Sequence, residues 1–143
     1  MNVLAGCITG VETDGAISIV EVEAGGLSFS ALLVETPKTC DYLAIGRKVE
    51  ILFKETEASI AKNLIGEISL RNRHGATIES LRYGGLLCEI TLKSGGVIAR
   101  SIITARSATR LNLAVGDTIE WLVKANEISL RAIDETAKDA YVV

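Results

Sequence analysis

Aromatic residues and histidine are scarce in this chain of 143 residues. Only 4% of the residues are aromatic, and His74 is the single histidine, for which we expect a structural or surface role. Nucleic-acid-binding modules usually carry a basic face or stacking aromatics, whereas this chain has a formal charge of −3. It also lacks a P-loop, a Gly-x-Ser-x-Gly elbow and a spacing that pairs a nucleophile with a base. We therefore predict that the chain is not an enzyme and binds no nucleic acid.

Cysteines and long apolar runs are also few. Cys7, Cys40 and Cys88 are odd in number and far apart, which argues against a disulfide framework and against a thiolate metal site. We expect reduced, buried thiols and no bare metal cation. No stretch approaches the roughly 18 consecutive apolar residues that cross a bilayer, and the first residues lack the signal-peptide pattern. The sequence therefore predicts no membrane insertion and a cytoplasmic location.

What the sequence does contain is a repeat at an offset of 70 residues. Residues 2–60 align with residues 72–130 without a gap, and 14 of those 59 positions are identical. Unrelated sequences would share about three or four. We therefore predict two copies of one small unit, at 1–61 and 62–133, followed by a tail at 134–143. The segment that joins the copies lacks the composition of a flexible tether, so we expect them to be rigidly apposed.

Both copies have the pattern of short strands. Apolar residues make up 48% of the chain, and the β-branched ones favour pleated surfaces. The predicted strands are 3–11, 17–23, 27–34 and 49–54 in the first copy, and 75–81, 86–92, 97–103, 118–124 and 127–130 in the second. We predict a short helix over 105–111 after the capping residue Thr104, and a weaker counterpart near Pro37. This order indicates an all-β fold with two tandem five-stranded barrels of the OB type.

Hydrogen-bond donors gather at three places in the second copy. They are Ser69, Arg71 and Asn72 at its entrance, Thr104 and Ser107 at the helix start, and Lys124, Ala125 and Asn126 at the last bend. Free N–H groups at a helix start, hydroxyls and two cations together suit an oxyanion. The same residues also suit plain helix capping and solvated surface charge. Residue chemistry alone therefore leaves oxyanion binding as one of several open readings.

The ordered set of motifs resembles the molybdate-binding Mop family, also called molbindin or TOBE-type domains. The resemblance rests on Ser69-Leu70-Arg71-Asn72, Tyr83-Gly84-Gly85, residues 102–113, Val115-Gly116-Asp117 and Leu122-Val123-Lys124-Ala125. It implies cytoplasmic OB-type units that bind molybdate or tungstate between the subunits of a homo-oligomer, without an organic cofactor. By matching position it assigns ligand roles to Ser69, Arg71, Asn72, Thr104, Ser107 and Lys124, to a backbone N–H of Ala125 or Asn126, and as weaker additions to Arg110 and Lys54.

The first copy departs from this pattern. It begins at Met1-Asn2 and has no residues that match Ser69 and Arg71. Of the second-copy cations at the site, only Lys124 has a counterpart, Lys54. The other mismatched pairs are Val34 with Thr104, Pro37 with Ser107 and Cys40 with Arg110. We therefore expect fewer bound anions per chain than two intact motifs would hold. The resemblance favours a trimer, with a dimer as the alternative.

Two functions from different classes follow. The first is reversible, non-catalytic binding of molybdate or tungstate for storage or homeostasis. The second is an interaction or regulatory module that has lost its ligand and acts on molybdate transport or transcription proteins, which the degraded first copy suggests. Replacing Arg71 and Lys124 by alanine separates them, because a binder would lose its anion while a scaffold would keep its partner.

Overall fold

The computed structural model describes residues 1–133, and the predicted tail lies outside the described residues. The strands are β1 (Asn2–Asp14), β2 (Ile17–Ala24), β3 (Leu27–Leu33), β4 (Lys48–Phe53), β5 (Ser59–Ala61), β6 (Asn72–Tyr83), β7 (Leu87–Ser94), β8 (Val97–Thr104), β9 (Thr118–Val123) and β10 (Ser129–Ala132). One helix, α1 (Ala105–Arg110), follows β8, and 3-10 turns occupy Glu55–Glu57 and Ala125–Glu127. This confirms the predicted all-β class with two five-stranded sheets.

Alternation along the strands explains why these segments form half-buried sheets. In β2 the buried residues are Ser18, Val20, Val22 and Ala24, and the positions between them are more exposed. In β7 the corresponding Cys88 and Ile90 are buried in the same way. A period of two places alternate side chains on opposite faces of a pleated strand, so one face of each sheet joins the core.

The two sheets exchange their last strands. The first sheet has the order β10-β4-β1-β2-β3 and the second has the order β5-β9-β6-β7-β8. Leu130 of the second copy therefore pairs with Ile51 of the first, and Ile60 of the first copy pairs with Trp121 of the second. The repeat divides the sequence near residue 61, but each sheet is completed by a strand from the other copy.

An aromatic cluster joins the two copies. Phe29 and Phe53 come from the first copy, and His74 and Trp121 come from the second. Their ring centroids lie 4.6 to 5.9 Å apart. All four lie between the sheets, where Trp121 is fully buried. Both phenylalanines and the single tryptophan of the chain thus lie at the contact between copies, where large rings contribute most to burial.

The repeated glycine pairs are contact points as well as turns. The amide of Gly96 donates to the carbonyl oxygen of Gly25 over 2.9 Å, which joins the β2–β3 hairpin to the β7–β8 hairpin. Gly25 has a φ of +57°, and a Cβ there would come within 2.6 Å of a methyl of Val97. Gly25 therefore does more than form a turn, because the absence of a side chain there permits the close approach of the two copies.

The first copy has no counterpart of α1. Residues 35–42 form turns instead, and Thr36 and Thr39 hold one of them with local bonds. The Thr36 amide donates to the Thr39 hydroxyl over 2.9 Å, and the Thr39 amide donates to the Thr36 carbonyl over 3.0 Å. Such side-chain bonds compete with helix formation. The weak helix predicted near Pro37 is therefore corrected to turns.

The segment between the copies is held to the second sheet by two cations. Lys62 donates to the carbonyl of Asn112 over 2.7 Å and to Asp117 over 3.0 Å. Arg73 donates to the Leu64 carbonyl over 3.2 Å while it pairs with Glu120. Within residues 1–133, no helix has both the length and the apolar character that a bilayer span requires.

Candidate functional site

The donors predicted at the entrance of the second copy and at its last bend form one group, which lies at one end of the second sheet. Asn72, the first residue of β6, pairs with Val123, the last residue of β9. Arg71 and Lys124 are their immediate neighbours, so the two cations flank the same end of this strand pair. The Arg71 side chain is 74% exposed, and Ser69 and Lys124 are also exposed. Arg71 and Lys124 thus present two cations to solvent at the entrance of the second copy.

The turn that follows Lys124 packs on the other copy. The 3-10 turn Ala125–Glu127 lies against β3 of the first copy. Lys124 precedes this turn in an extended conformation, with a φ of −67° and a ψ of 139°. Asn126 is exposed and lines a groove with Val34 and Glu35. The predicted donors at the last bend therefore face the end of β3.

Asn72 has a structural role that the sequence did not predict. Its side chain is buried, and its oxygen accepts from the Ser30 amide over 2.7 Å. Its amide group donates to the Ser30 carbonyl over 2.9 Å and to the Val123 carbonyl over 3.0 Å. These bonds use both N–H groups of the side chain. The expectation that the Asn72 side chain is an anion ligand is therefore corrected, because it has no donor left.

The second group of donors caps the helix. Thr104 accepts from the Ser107 amide over 3.1 Å and donates its hydroxyl proton to the Ser107 oxygen over 2.8 Å. The amide of Ala105 donates to the Leu86 carbonyl over 2.8 Å. Two of the first helical N–H groups are thus already satisfied, and α1 has only six residues. The donors that remain for a ligand include the Ser107 hydroxyl proton and the side chains of the exposed Arg106 and Arg110.

The two groups of donors lie at opposite ends of β6. Thr104 of β8 pairs with Leu87 of β7, and the next residue of β7, Cys88, pairs with Tyr83. Tyr83 is the last residue of β6, so Thr104 lies near that end of the strand. Arg71 precedes the first residue of this twelve-residue strand. Within one copy, the structure therefore does not bring Arg71 and Lys124 together with Thr104 and Ser107.

The first copy also contacts β8, the strand that leads into the helix. Its 3-10 turn, Glu55–Glu57, packs on β8 just as the second turn packs on β3. The exposed Lys54 precedes this turn, and its amide donates to Glu57 over 2.8 Å. The Met1 amino group bonds to Glu55, and this contact lowers the pKa of that carboxyl. Lys54 thus stands at the β8 side of the contact, as its place in the repeat implies.

The first-copy side of the groove beside Asn126 is unsuited to an anion. Its lining is largely apolar, with Leu32, Leu33 and Val34 on one side, and it includes the carboxylate of Glu35. Tyr42 also lines it, and burial raises the pKa of this phenol. A carboxylate repels an oxyanion, and a neutral phenol adds no charge to compensate. The first-copy end of the groove therefore offers no anion site of its own.

Sequence reasoning missed Glu21 and Ser30. Both lie on the first copy and both reach the entrance of the second copy, Glu21 at 3.8 Å from Arg71 and Ser30 through Asn72. The signal that could have found them is the identity of Asn2 and Asn72 within the repeat, since Asn2 binds the backbone of Arg100 in the same way. Among residues 1–133, no three His, Cys, Asp or Glu side chains are grouped as a metal site.

Comparison with known proteins gives a clear match in structure. No protein-family model matches the chain, and no curated protein matches it in sequence. Among solved structures, it is similar to ModG, described as a cytoplasmic molybdate-binding protein and crystallised with molybdate bound. The TM-score is 0.86 at 23% identity, over 92% of this chain and 96% of that chain. A molybdate-binding protein from Sporomusa ovata is 33% identical over 42% of this chain and 90% of that chain, with a TM-score of 0.41. The ModG match confirms the predicted tandem fold.

Proposed function

We propose that this chain binds molybdate or tungstate reversibly and without catalysis, as a cytoplasmic store or buffer of the oxyanion. The observation that carries the proposal is the presence of cationic and hydroxyl donors on a fold shared with a molybdate-binding protein. The chain shares its fold over nearly its whole length with ModG, which is described as binding molybdate in the cytoplasm. On that fold it presents exposed Arg71 and Lys124 at one end of β6 and the Ser107 hydroxyl near the other.

The chemistry of these donors fits a tetrahedral dianion. Four acceptor oxygens and two negative charges call for N–H and O–H donors together with cations. Arg71 and Lys124 supply two cations, and the amides at the turn after Lys124 supply neutral donors. Molybdate and sulfate have the same charge and shape, so the size of the enclosed space must select between them. The roles of Ser69, Ala125, Asn126 and Arg110 belong to this proposal.

The proposal includes a homo-oligomer, because one chain leaves its two donor groups apart. Exposed apolar residues occur in equivalent positions of both copies, as Ile45 with Val115 and Ile17 with Leu87. Such a repeated apolar surface suits burial against another copy of the chain. A second copy would also bring a Thr104 group to an Arg71 group. We place a trimer ahead of a dimer, and light scattering of the purified chain distinguishes the two masses.

Isothermal titration of the full chain tests the proposal. We expect heat of binding with molybdate and tungstate, and none with sulfate at the same concentration. Lys124→Ala should weaken binding about ten-fold, because a charge-assisted hydrogen bond is lost. Lys93→Ala is the matched control, since Lys93 is an exposed lysine of β7 outside both donor groups. Absence of heat with both metal oxyanions would leave the interaction module as the better account.

A further inference from the structure

The first copy places the carboxylate of Glu21 beside Arg71, one of the two cations of the candidate site. Oε1 of Glu21 lies 3.8 Å from Nη2 of Arg71. The hydroxyl of Ser30 lies 2.8 Å and 2.7 Å from the two carboxylate oxygens of Glu21. Ser30 is itself held on both sides of its backbone by the buried Asn72, the residue after Arg71. The carboxylate is therefore anchored next to Arg71 by the same contact that joins the two copies.

The repeat shows that the fold does not require this carboxylate. Position 91 is the equivalent of position 21, and there the second copy has Thr91. Both residues lie in eight-residue strands with nearly the same alternation of buried and exposed positions. The second copy thus builds the same hairpin with a neutral side chain. The negative charge at Glu21 is a local addition, and its most evident electrostatic effect falls on Arg71.

A carboxylate at this distance acts directly on a bound anion. An oxyanion in contact with the Arg71 guanidinium would lie about 6 Å from the charge of Glu21, on ordinary hydrogen-bond lengths. Repulsion between a unit charge and a dianion at that distance, in water with physiological salt, corresponds to roughly a three- to ten-fold loss of affinity. Arg71 itself is exposed and not hydrogen-bonded to Glu21 at 3.8 Å, so its donors remain available.

We infer that Glu21 is a built-in competitor that sets the oxyanion affinity at Arg71. The carboxylate shares the guanidinium with the incoming dianion and keeps binding weaker than the donor set alone would allow. Arg71 therefore contributes less to affinity while Glu21 is present than it does once Glu21 is replaced by a neutral residue. This inference rests on the proposed function, since it concerns how tightly the same anion is held.

A double-mutant cycle tests it, with molybdate as the probe and the full chain as the protein. The variants are Glu21→Gln, Arg71→Ala and the two combined, each titrated by calorimetry. Glu79→Gln is the matched control, because Glu79 is an exposed carboxylate far along β6 and its loss changes the net charge equally. We expect Glu21→Gln to bind molybdate roughly three- to ten-fold more tightly than the unmodified chain. That gain should shrink when Arg71 is also alanine, because the anion is then no longer held next to Glu21.

The outcomes separate this inference from the proposed function. If the unmodified chain binds molybdate and Glu21→Gln changes affinity no more than Glu79→Gln does, the competitor role is wrong and the proposed function stands. If the gain is undiminished in the Arg71→Ala background, Glu21 acts through overall charge and the inference is again wrong. If neither the unmodified chain nor Glu21→Gln binds, both fail. Circular dichroism of each variant verifies that the sheets are intact.

Discussion

Asn72 should be the most sensitive polar residue for stability. Asn72→Ala removes three hydrogen bonds, of 2.7, 2.9 and 3.0 Å, and leaves the backbone of Ser30 and Val123 short of partners at a buried position. Each buried polar group left unsatisfied costs about 1–3 kcal/mol. Because carbonyl groups tolerate a lost partner better than amides do, we expect a total loss of about 3–5 kcal/mol. For a chain of this size that loss lowers the Tm by roughly 10–20 °C.

Asn2 provides the comparison within the same molecule. It occupies the equivalent position, but its side chain makes two bonds of 2.8 Å, both to the partly exposed backbone of Arg100. Asn2→Ala should therefore cost only about 1–2 kcal/mol. Urea unfolding followed by the fluorescence of the fully buried Trp121 measures both. If Asn72→Ala lowers the free energy of unfolding by less than about 1 kcal/mol, or by no more than Asn2→Ala does, the role assigned to the buried Asn72 hydrogen bonds is refuted.

Three further predictions follow from the contact between copies. Burial lowers the pKa of His74 in the folded chain, so on acidification the imidazole is protonated at a higher pH in the unfolded chain than in the folded one. The free energy of unfolding should therefore decrease as the pH falls below about 6.5. The urea midpoint should fall less over the same pH range in His74→Leu. Gly25→Ala should lower the Tm more than Gly26→Ala, because both have positive φ but only Gly25 faces a close contact. Residues 1–70 and 71–143 should each fail to fold alone and form β structure by circular dichroism when mixed, because each sheet needs a strand from the other half; independent folding of either half would contradict the exchange.

The alternation of apolar residues predicted most of the strands within a few residues. Along 17–23, for example, every second residue is buried as the pattern requires. The partners of the last strands could not be predicted in this way. Ile60 and Leu130 are equivalent in the repeat and similar in chemistry, so either sheet accommodates either strand. Only the three-dimensional path of the chain decides between them.

The candidate site was less predictable than the fold for a related reason. The sequence marks Asn72 as polar and close to Arg71, and a ligand role follows naturally from that position. In the structure its amide is used across the contact with Ser30, which is 42 residues away. Glu21 was missed for the same cause, since its neighbour Arg71 is distant in sequence. Side chains that act between copies leave no local pattern, whereas the cap at Thr104 does.

The most direct test of the central claim is the anomalous diffraction of molybdenum in crystals of the full chain grown with molybdate. The account predicts anomalous peaks in contact with Arg71 or Lys124, or with the Thr104–Ser107 cap, and fewer than two sites per chain on average. Crystals that diffract well and show no such peak, or peaks bounded only by residues outside both donor groups, would contradict it.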